Sequence, residues 1–435
     1  VRISVSRVLI ANPVSLAIAF AGLLAVSTDD RWLAFGAALA LIIALFMRRP
    51  VIYRVPLDGL APLFLMLAVA IGATLLGDAS STVAASRGGF YFARIAIFAY
   101  AGYVVAKAVK SDFPILIAAA TIGVYSAADY VYRFYTDPMV AYYSREDIRN
   151  NLGTGSLLVW LVPCLLFLLW RHFRGPIDRL IMLSASALAV AAIVLSTSRS
   201  AYLSIAAFAL VLWLPTRRMN LVRMAILPIL IVLLTVTTPF IAHMMGMPVL
   251  IDLTDTPLRE LAPPPFDMGR INEQWRGFET WRAFDFVSEE GVRATLWGLG
   301  IVAEVPLGLT QTLAGQITQQ IPVFHNGFSF AFVRAGLVGL FLYFWLARSL
   351  ASSMVDHLQK GEEDGVLLTR VGLACLLVLI VGTPTIGGFF NPDEIGAVAF
   401  FFIGGALARS QRREVVGAQE WTPDPSGVLV RQTLL

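Results

Sequence analysis

The sequence predicts an all-α polytopic membrane protein of about twelve transmembrane helices with one large helical loop. Three observations predict it. The 435 residues are 57% hydrophobic and only 14% charged, whereas a soluble domain carries roughly 25% charged residues. The apolar residues gather in runs close to the roughly 20 residues that cross a bilayer. The loops between the runs alternate in charge, as the retention of positive loops in the cytoplasm requires.

The runs lie near 9–27, 31–47, 58–76, 89–107, 113–131, 153–170, 179–196, 200–215, 222–241, 325–347, 366–383 and 391–408. They do not alternate polar with apolar, so they read as helices rather than barrel strands. Arg2 and Arg7 before the first run imitate a secretory signal, but further runs follow, so the first reads as a retained helix. Residues 1–241 then hold nine spans, 242–324 form one long loop, 325–410 hold three spans, and 411–435 form a polar tail, expected to be disordered.

One set of loops carries Arg48, Arg49 and Arg54; Lys107 and Lys110; Arg171, Arg174 and Arg179; Arg217, Arg218 and Arg223; Arg348 and Lys360; and Arg409, Arg412 and Arg413. The other set carries Asp29, Asp30, Asp78, Asp393 and Glu394. Twelve spans with both termini inside put every loop of the first set in the cytoplasm, and put 242–324 outside. That loop holds five Arg, no Lys and ten Asp or Glu. Residues 272–290 read as a helix bounded by Pro263–Pro265 and Gly291, with Trp275, Phe278 and Phe286 near one face. Such a helix lies on the membrane surface or packs on its own loop.

The net charge of +4 comes without a Lys/Arg stripe interleaved with aromatics, so nucleic acid is not an expected partner. Cys164 and Cys375 sit in apolar runs with no metal-spaced neighbour, and read as buried thiols. No glycine loop for a nucleotide, zinc-ligand set or paired acidic motif stands out. An enzyme on the outer face has no ATP, so its substrate must arrive already activated.

The candidate chemical residues gather at the outer ends of the runs. His325 ends the long loop, in Pro322-Val323-Phe324-His325-Asn326-Gly327, and a long apolar run follows at once. A histidine there can take a proton near neutral pH or hold a hydroxyl; the plain alternative is a helix cap. Arg199 stands in the short turn Ser196-Thr197-Ser198-Arg199 between two runs. Its planar fork suits phosphate oxygens, and snorkelling to headgroups is the alternative. Arg334, nine residues after His325 on one expected helix, falls about 13 Å deeper, and a structural ion pair with Asp129 or another acid is its plain reading. Residues 125–149 hold six tyrosines, an interface belt or sugar-stacking surface, and then Arg145 and Arg149, one helical turn apart and able to face anionic groups.

These residues resemble a known family. His325-Asn326, nine residues, then Gly336-Leu337-Val338-Gly339 resembles the motif near the end of the large periplasmic loop of O-antigen ligases. Arg199-x-x-x-Leu203 resembles the arginine motif on another periplasmic turn of that family. Trp281-Arg282-Ala283, followed by Trp297-Gly298-Leu299-Gly300, resembles the tract before the histidine in the wider ligase and polymerase superfamily; Arg276 stands nearest the position of that family's loop arginine.

The resemblance implies a GT-C-like helical glycosyltransferase of the bacterial inner membrane, active on the periplasmic face without metal or nucleotide cofactor. The implied donor is an undecaprenyl-pyrophosphate-linked glycan. The acceptor is lipid A core for a ligase, or a growing glycan for a polymerase of O-antigen, capsule or exopolysaccharide. On this reading Arg199, with Arg276 or Arg282 and Arg149, neutralises charge growing on the pyrophosphate, and His325 acts on the acceptor hydroxyl, giving inversion at the anomeric carbon. Leu203, Asn326, Gly336 and Gly339 complete the motifs. The histidine tilts the choice toward a ligase, since many polymerases are expected to use arginine there. A polysaccharide or lipid transporter is the alternative from another class, though no internal repeat supports it.

Overall fold

The computed structural model describes residues 13–28, 30–48, 57–76, 82–109, 111–138, 140, 152, 156–173, 175–196, 198–213, 274–313, 316–321, 324–360, 365–390, 394–411, 421–423 and 429–431. In chain order the helices are α1 (Pro13–Val26), α2 (Arg31–Arg48), α3 (Leu57–Leu75), α4 (Thr82–Ala108), α5 (Phe113–Thr136), α6 (Leu157–Leu169), α7 (Pro176–Leu195) and α8 (Arg199–Trp213). After residues 214–273 come α9 (Trp275–Glu289), α10 (Val292–Trp297), the strands β1 (Val305–Leu313) and β2 (Gln316–Ile321), and the helices α11 (Gly327–Gln359), α12 (Val366–Ile386) and α13 (Glu394–Ser410). Local chemistry sets several starts: the Ser156 side chain accepts from the Leu158 N–H, and Asn326 caps α11 by accepting from Phe328.

Eleven of the twelve apolar runs coincide with a helix, and the run 222–241 lies outside the described residues. The number of spans needs correcting. Among the described residues only five helical segments are long and apolar enough to cross a membrane: Gly88–Ala108, Phe113–Thr136, Pro176–Leu195, Gly327–Gln359 and Val366–Pro384. Four more apolar stretches, Pro13–Val26, Arg31–Met47, Gly59–Leu75 and Leu157–Leu169, are shorter. The 13 residues of Leu157–Leu169 rise only about 20 Å against a hydrocarbon core of about 30 Å. The expected architecture of about twelve transmembrane helices in a GT-C-like fold is therefore not met. Runs were counted by apolar composition, and several of them are too short as helices. The five long helices are consistent with a multi-pass membrane protein. Their outward faces agree: on α7, Ile177, Leu180, Ile181, Val190 and Val194 are exposed, an apolar surface that water does not favour.

The bundle centres on α4 and α13, whose backbones touch. A Cβ on Gly102 would strike the Phe401 carbonyl, and one on Gly404 would strike that of Ala99, so only glycine permits this approach. α12 packs on α13, α11 on α3 and α12, and α8 on α12 and α6. At one end of the bundle the buried Arg409 Nε donates to Asp112 at 2.8 Å, and the other Asp112 oxygen accepts from the Leu368 N–H. Arg48, Lys107, Arg179 and Lys360 stand at that same end, judged by the direction of their helices and by the contacts of Trp32 with Phe90 and of Phe113 with His172.

α11 is not one straight helix. Gly336, inside it, has φ 64° and ψ −153°, a backbone region open essentially to glycine alone. The chain folds back there. The Phe328 ring lies 5.4 Å from that of Tyr343 and 5.5 Å from that of Phe344, whereas 15 residues of straight helix would separate the first pair by about 22 Å. A short arm, 327–335, thus lies beside the start of a longer arm, 337–359.

In the long loop α9 falls within the segment expected to be helical. It packs on α11 and β1, with Phe278 buried and Phe284 stacked on Phe332 at 4.4 Å. Packing within the molecule therefore takes up much of its aromatic face. β1 and β2 form an antiparallel hairpin with an irregular register between Pro306 and Gln311, an element not expected from the sequence. The tail, expected to be disordered, carries a short antiparallel pair, β3 (Trp421–Pro423) with β4 (Leu429–Arg431).

Candidate functional site

His325 precedes the short arm of α11, and three contacts from two other elements hold it. Its backbone N–H donates to Glu279 Oε1 at 2.5 Å. Its ring Nδ1 lies 2.8 Å from Glu279 Oε2. Its carbonyl accepts from the Gly387 N–H, at the end of α12, at 2.5 Å. The next residue repeats the pattern: Asn326 Nδ2 donates to Thr280 Oγ1 at 3.0 Å. Two successive residues of α9 therefore grip two successive residues before α11.

Glu279 is fully buried, while the His325 side chain is 51% exposed. A buried carboxylate is tolerated only with its oxygens paired, and His325 supplies a donor to each. An ionised Glu279 can only accept, so against it Nδ1 carries the proton and Nε2 is the basic nitrogen of the ring. Glu279 escaped the sequence reading because it stands 46 residues before its partner, in a loop with ten acids. The one available signal was its place two residues before Trp281, just ahead of the tract that carries the resemblance.

The glycines of the motif acquire a geometry. The nine residues between Asn326 and Gly336 are the short arm itself. A Cβ on Gly336 would strike the Leu296 backbone, one on Gly298 would strike that of Ala335, and one on Gly339 would strike the Ala331 carbonyl of the opposite arm. The fold-back frees two carbonyls, which accept from the loop: Leu299 N–H to Val333 at 2.8 Å and Gly300 N–H to Arg334 at 3.2 Å. Trp297-Gly298-Leu299-Gly300 is thus the seat on which the turn of α11 rests.

Arg334 belongs to this seat. Its Nη1 donates to the carbonyls of Gly300, Ile301 and Ala303, and Asp129 pairs instead with Arg133 at 2.6 Å. The expected 13 Å descent from His325 to Arg334 is corrected: Arg334 stands by the turn, and His325 lies farther from it, toward the level of Tyr343.

The arginines divide. Arg282 is held within the loop: Nε donates to the Pro306 carbonyl at 2.9 Å, Nη1 pairs with Asp285 at 2.9 Å, and the guanidinium lies over Phe286. Arg276 is half-buried, one turn before Glu279 on the same helix face. Arg199 opens α8, three residues after α7 ends. Arg370 Nη1 reaches the Leu212 carbonyl at 3.4 Å, so with α8 antiparallel to α12 the same thirteen-residue step puts Arg199 level with Thr383. Thr383 bonds Tyr343 at 2.6 Å and lies against Gly327. The backbones of Arg199 and Leu203 therefore sit at the His325 end of the bundle. Arg149 lies outside the described residues, as do Tyr142, Tyr143 and Arg145. Tyr125, Tyr132 and Tyr135 project from α5 and are exposed. Beside Phe344, a cavity of about 480 Å³ is lined by Phe341, Phe344, Trp345 and Arg348.

No protein-family model matches the chain, and a search of curated proteins finds no significant match.

Proposed function

We propose that the chain is a glycosyltransferase that moves a glycan from undecaprenyl pyrophosphate to an acceptor sugar hydroxyl, and most specifically an O-antigen ligase acting on lipid A core. The observation that carries the reading is the half-exposed His325 ring held at Nδ1 by the buried Glu279 carboxylate, the arrangement that makes Nε2 the basic nitrogen. The acceptor O–H loses its proton to Nε2 as its oxygen attacks the anomeric carbon. The bond from that carbon to the pyrophosphate oxygen breaks on the opposite face, and the lipid pyrophosphate departs with the electron pair. Attack opposite the leaving group inverts the anomeric centre. Arg276 and Arg199 answer the charge growing on the leaving group. Their support is their placement at the His325 end of the bundle. The apolar cavity beside Phe344 suits a polyprenyl tail.

The proposed location is the bacterial inner membrane, with the His325 end periplasmic and both termini cytoplasmic. The support is the gathering of Arg48, Lys107, Arg179, Lys360 and Arg409 at the opposite end, as the positive-inside rule requires. A polymerase shares this chemistry and differs in its acceptor.

The test is transfer by purified protein supplied with undecaprenyl-pyrophosphate-linked glycan and lipid A core, without added metal or nucleotide. Glycan joined to core is expected, with His325→Ala lower by about 100-fold or more at equal folding. Longer lipid-linked chains without core attachment would identify a polymerase. No product of either kind from folded protein would remove the glycosyltransferase reading.

A further inference from the structure

We infer that Glu279 is the positioning residue of the site: it fixes the His325 ring with Nδ1 protonated and Nε2 facing the acceptor hydroxyl, and it balances the positive charge that the ring gains. The inference rests on the transfer chemistry proposed above for its consequence, but its geometry stands alone. Both Glu279 oxygens are used, one by the His325 backbone N–H and one by the ring, so the carboxylate sets the ring's position and its tautomer together. A group meant only to hold the loop against α11 needs just the backbone contact. Here the neighbouring Thr280–Asn326 bond already supplies a side-chain clamp.

The charge logic points the same way. The carboxylate is fully buried and its partner half-exposed, so its field is little screened on the ring side and the reacting nitrogen still meets the substrate. When Nε2 accepts a proton, the new imidazolium lies beside a fixed negative charge, and no water need reorganise around it. Along α9, Arg276 and Arg282 stand three residues to either side of Glu279. Arg282 and Arg334 are turned to other partners.

The variant that separates the roles is Glu279→Gln. It keeps shape and burial but replaces one acceptor oxygen with a donor NH₂, so His325 cannot keep both bonds with Nδ1 protonated. The full chain is labelled with ¹⁵N-histidine in lipid vesicles, the His325 signal is assigned by its loss in His325→Ala, and transfer is measured on the same preparations. The wild type is expected to show protonated Nδ1 and bare Nε2. Glu279→Gln is expected to show a mixture of tautomers and a kcat lower by about 100-fold with KM unchanged. Glu279→Asp, which retains the carboxylate, should recover part of the loss; this arm decides the matter if Glu279→Gln is poorly folded. A wild-type ring with bare Nδ1, or Glu279→Gln transferring at the wild-type rate, would overturn the inference. Protonated Nδ1 in folded wild-type protein that transfers no glycan would sink the reaction reading, while upholding Glu279 as the residue that sets the ring.

Discussion

At the scale of single residues, the loop arginines offer the sharpest contrast. Arg276 and Arg282 lie six residues apart on one helix, and sequence alone gives no ground for choosing between them as phosphate ligands. Their surroundings do. Arg282 spends Nε on Pro306 and Nη1 on Asp285, which ties α9 to β1. Arg276 and Arg282 each sit one turn from Glu279, so it is the ties of Arg282 to Pro306 and Asp285 that set the two apart. Arg276→Ala should lower kcat by about 100-fold, the usual loss when one fixed donor to a developing anion is removed. Arg282→Ala should act on stability instead. Losing its charged hydrogen bonds costs about 1.5–3 kcal/mol, seen as a lower unfolding midpoint, while residual folded protein still transfers glycan. Midpoints and rates measured on both variants would expose a wrong division: if Arg282→Ala is the one that loses turnover without losing stability, the roles are exchanged.

At the scale of elements, α11 explains a motif by its shape. Asn326 caps the short arm, Gly336 reverses the chain, and Gly339 lets the arms touch. Gly336→Ala meets two penalties: a glycine-only conformation, about 1–3 kcal/mol, and a clash with the backbone of the seat. Gly291 provides the control. Its φ of 92° and ψ of −177° are also unfavourable to other residues, but nothing lies within 4 Å of its would-be Cβ. Gly291→Ala should therefore show the backbone penalty alone, and Gly336→Ala a larger loss of stability together with loss of transfer. Equal unfolding midpoints for the two variants would mean that the seat yields and does not hold the turn. His325, Asn326 and the two glycines could be picked from the sequence as a spaced set. Their geometry could not, because the apolar residues from Phe328 to Leu346 read as one span, and a left-handed glycine looks like any small residue in a membrane helix. Glu279 was hidden by the opposite problem: its meaning comes only from a partner 46 residues away. The β1–β2 hairpin was hidden by its Thr and Gln residues, which give no clean apolar alternation.

At the scale of the whole molecule, the number of spans is the expectation that the structure changes. Apolar runs mark where helices form, but a composition count does not separate a 13-residue helix such as α6 from a full crossing, and five long helices replace the expected twelve among the described residues. Charge survives this correction, because it depends on which end of a helix a residue occupies and not on the helix's length. Asp30 and Glu394 open α2 and α13 at the His325 end, whereas Arg48 and Arg409 close the same helices at the other. The proposed orientation therefore makes a prediction that needs no glycan. Val292 is 76% exposed at the His325 end, and Lys360 is exposed at the opposite end. Cys164 and Cys375 are buried, so background reaction with a membrane-impermeant maleimide should be low. In cells with a permeabilised outer membrane, Val292→Cys should label at once, and Lys360→Cys only after the inner membrane is lysed. Labelling in the reverse order would put His325 in the cytoplasm. A periplasmic glycan transfer could not then occur there, however well the ring is held.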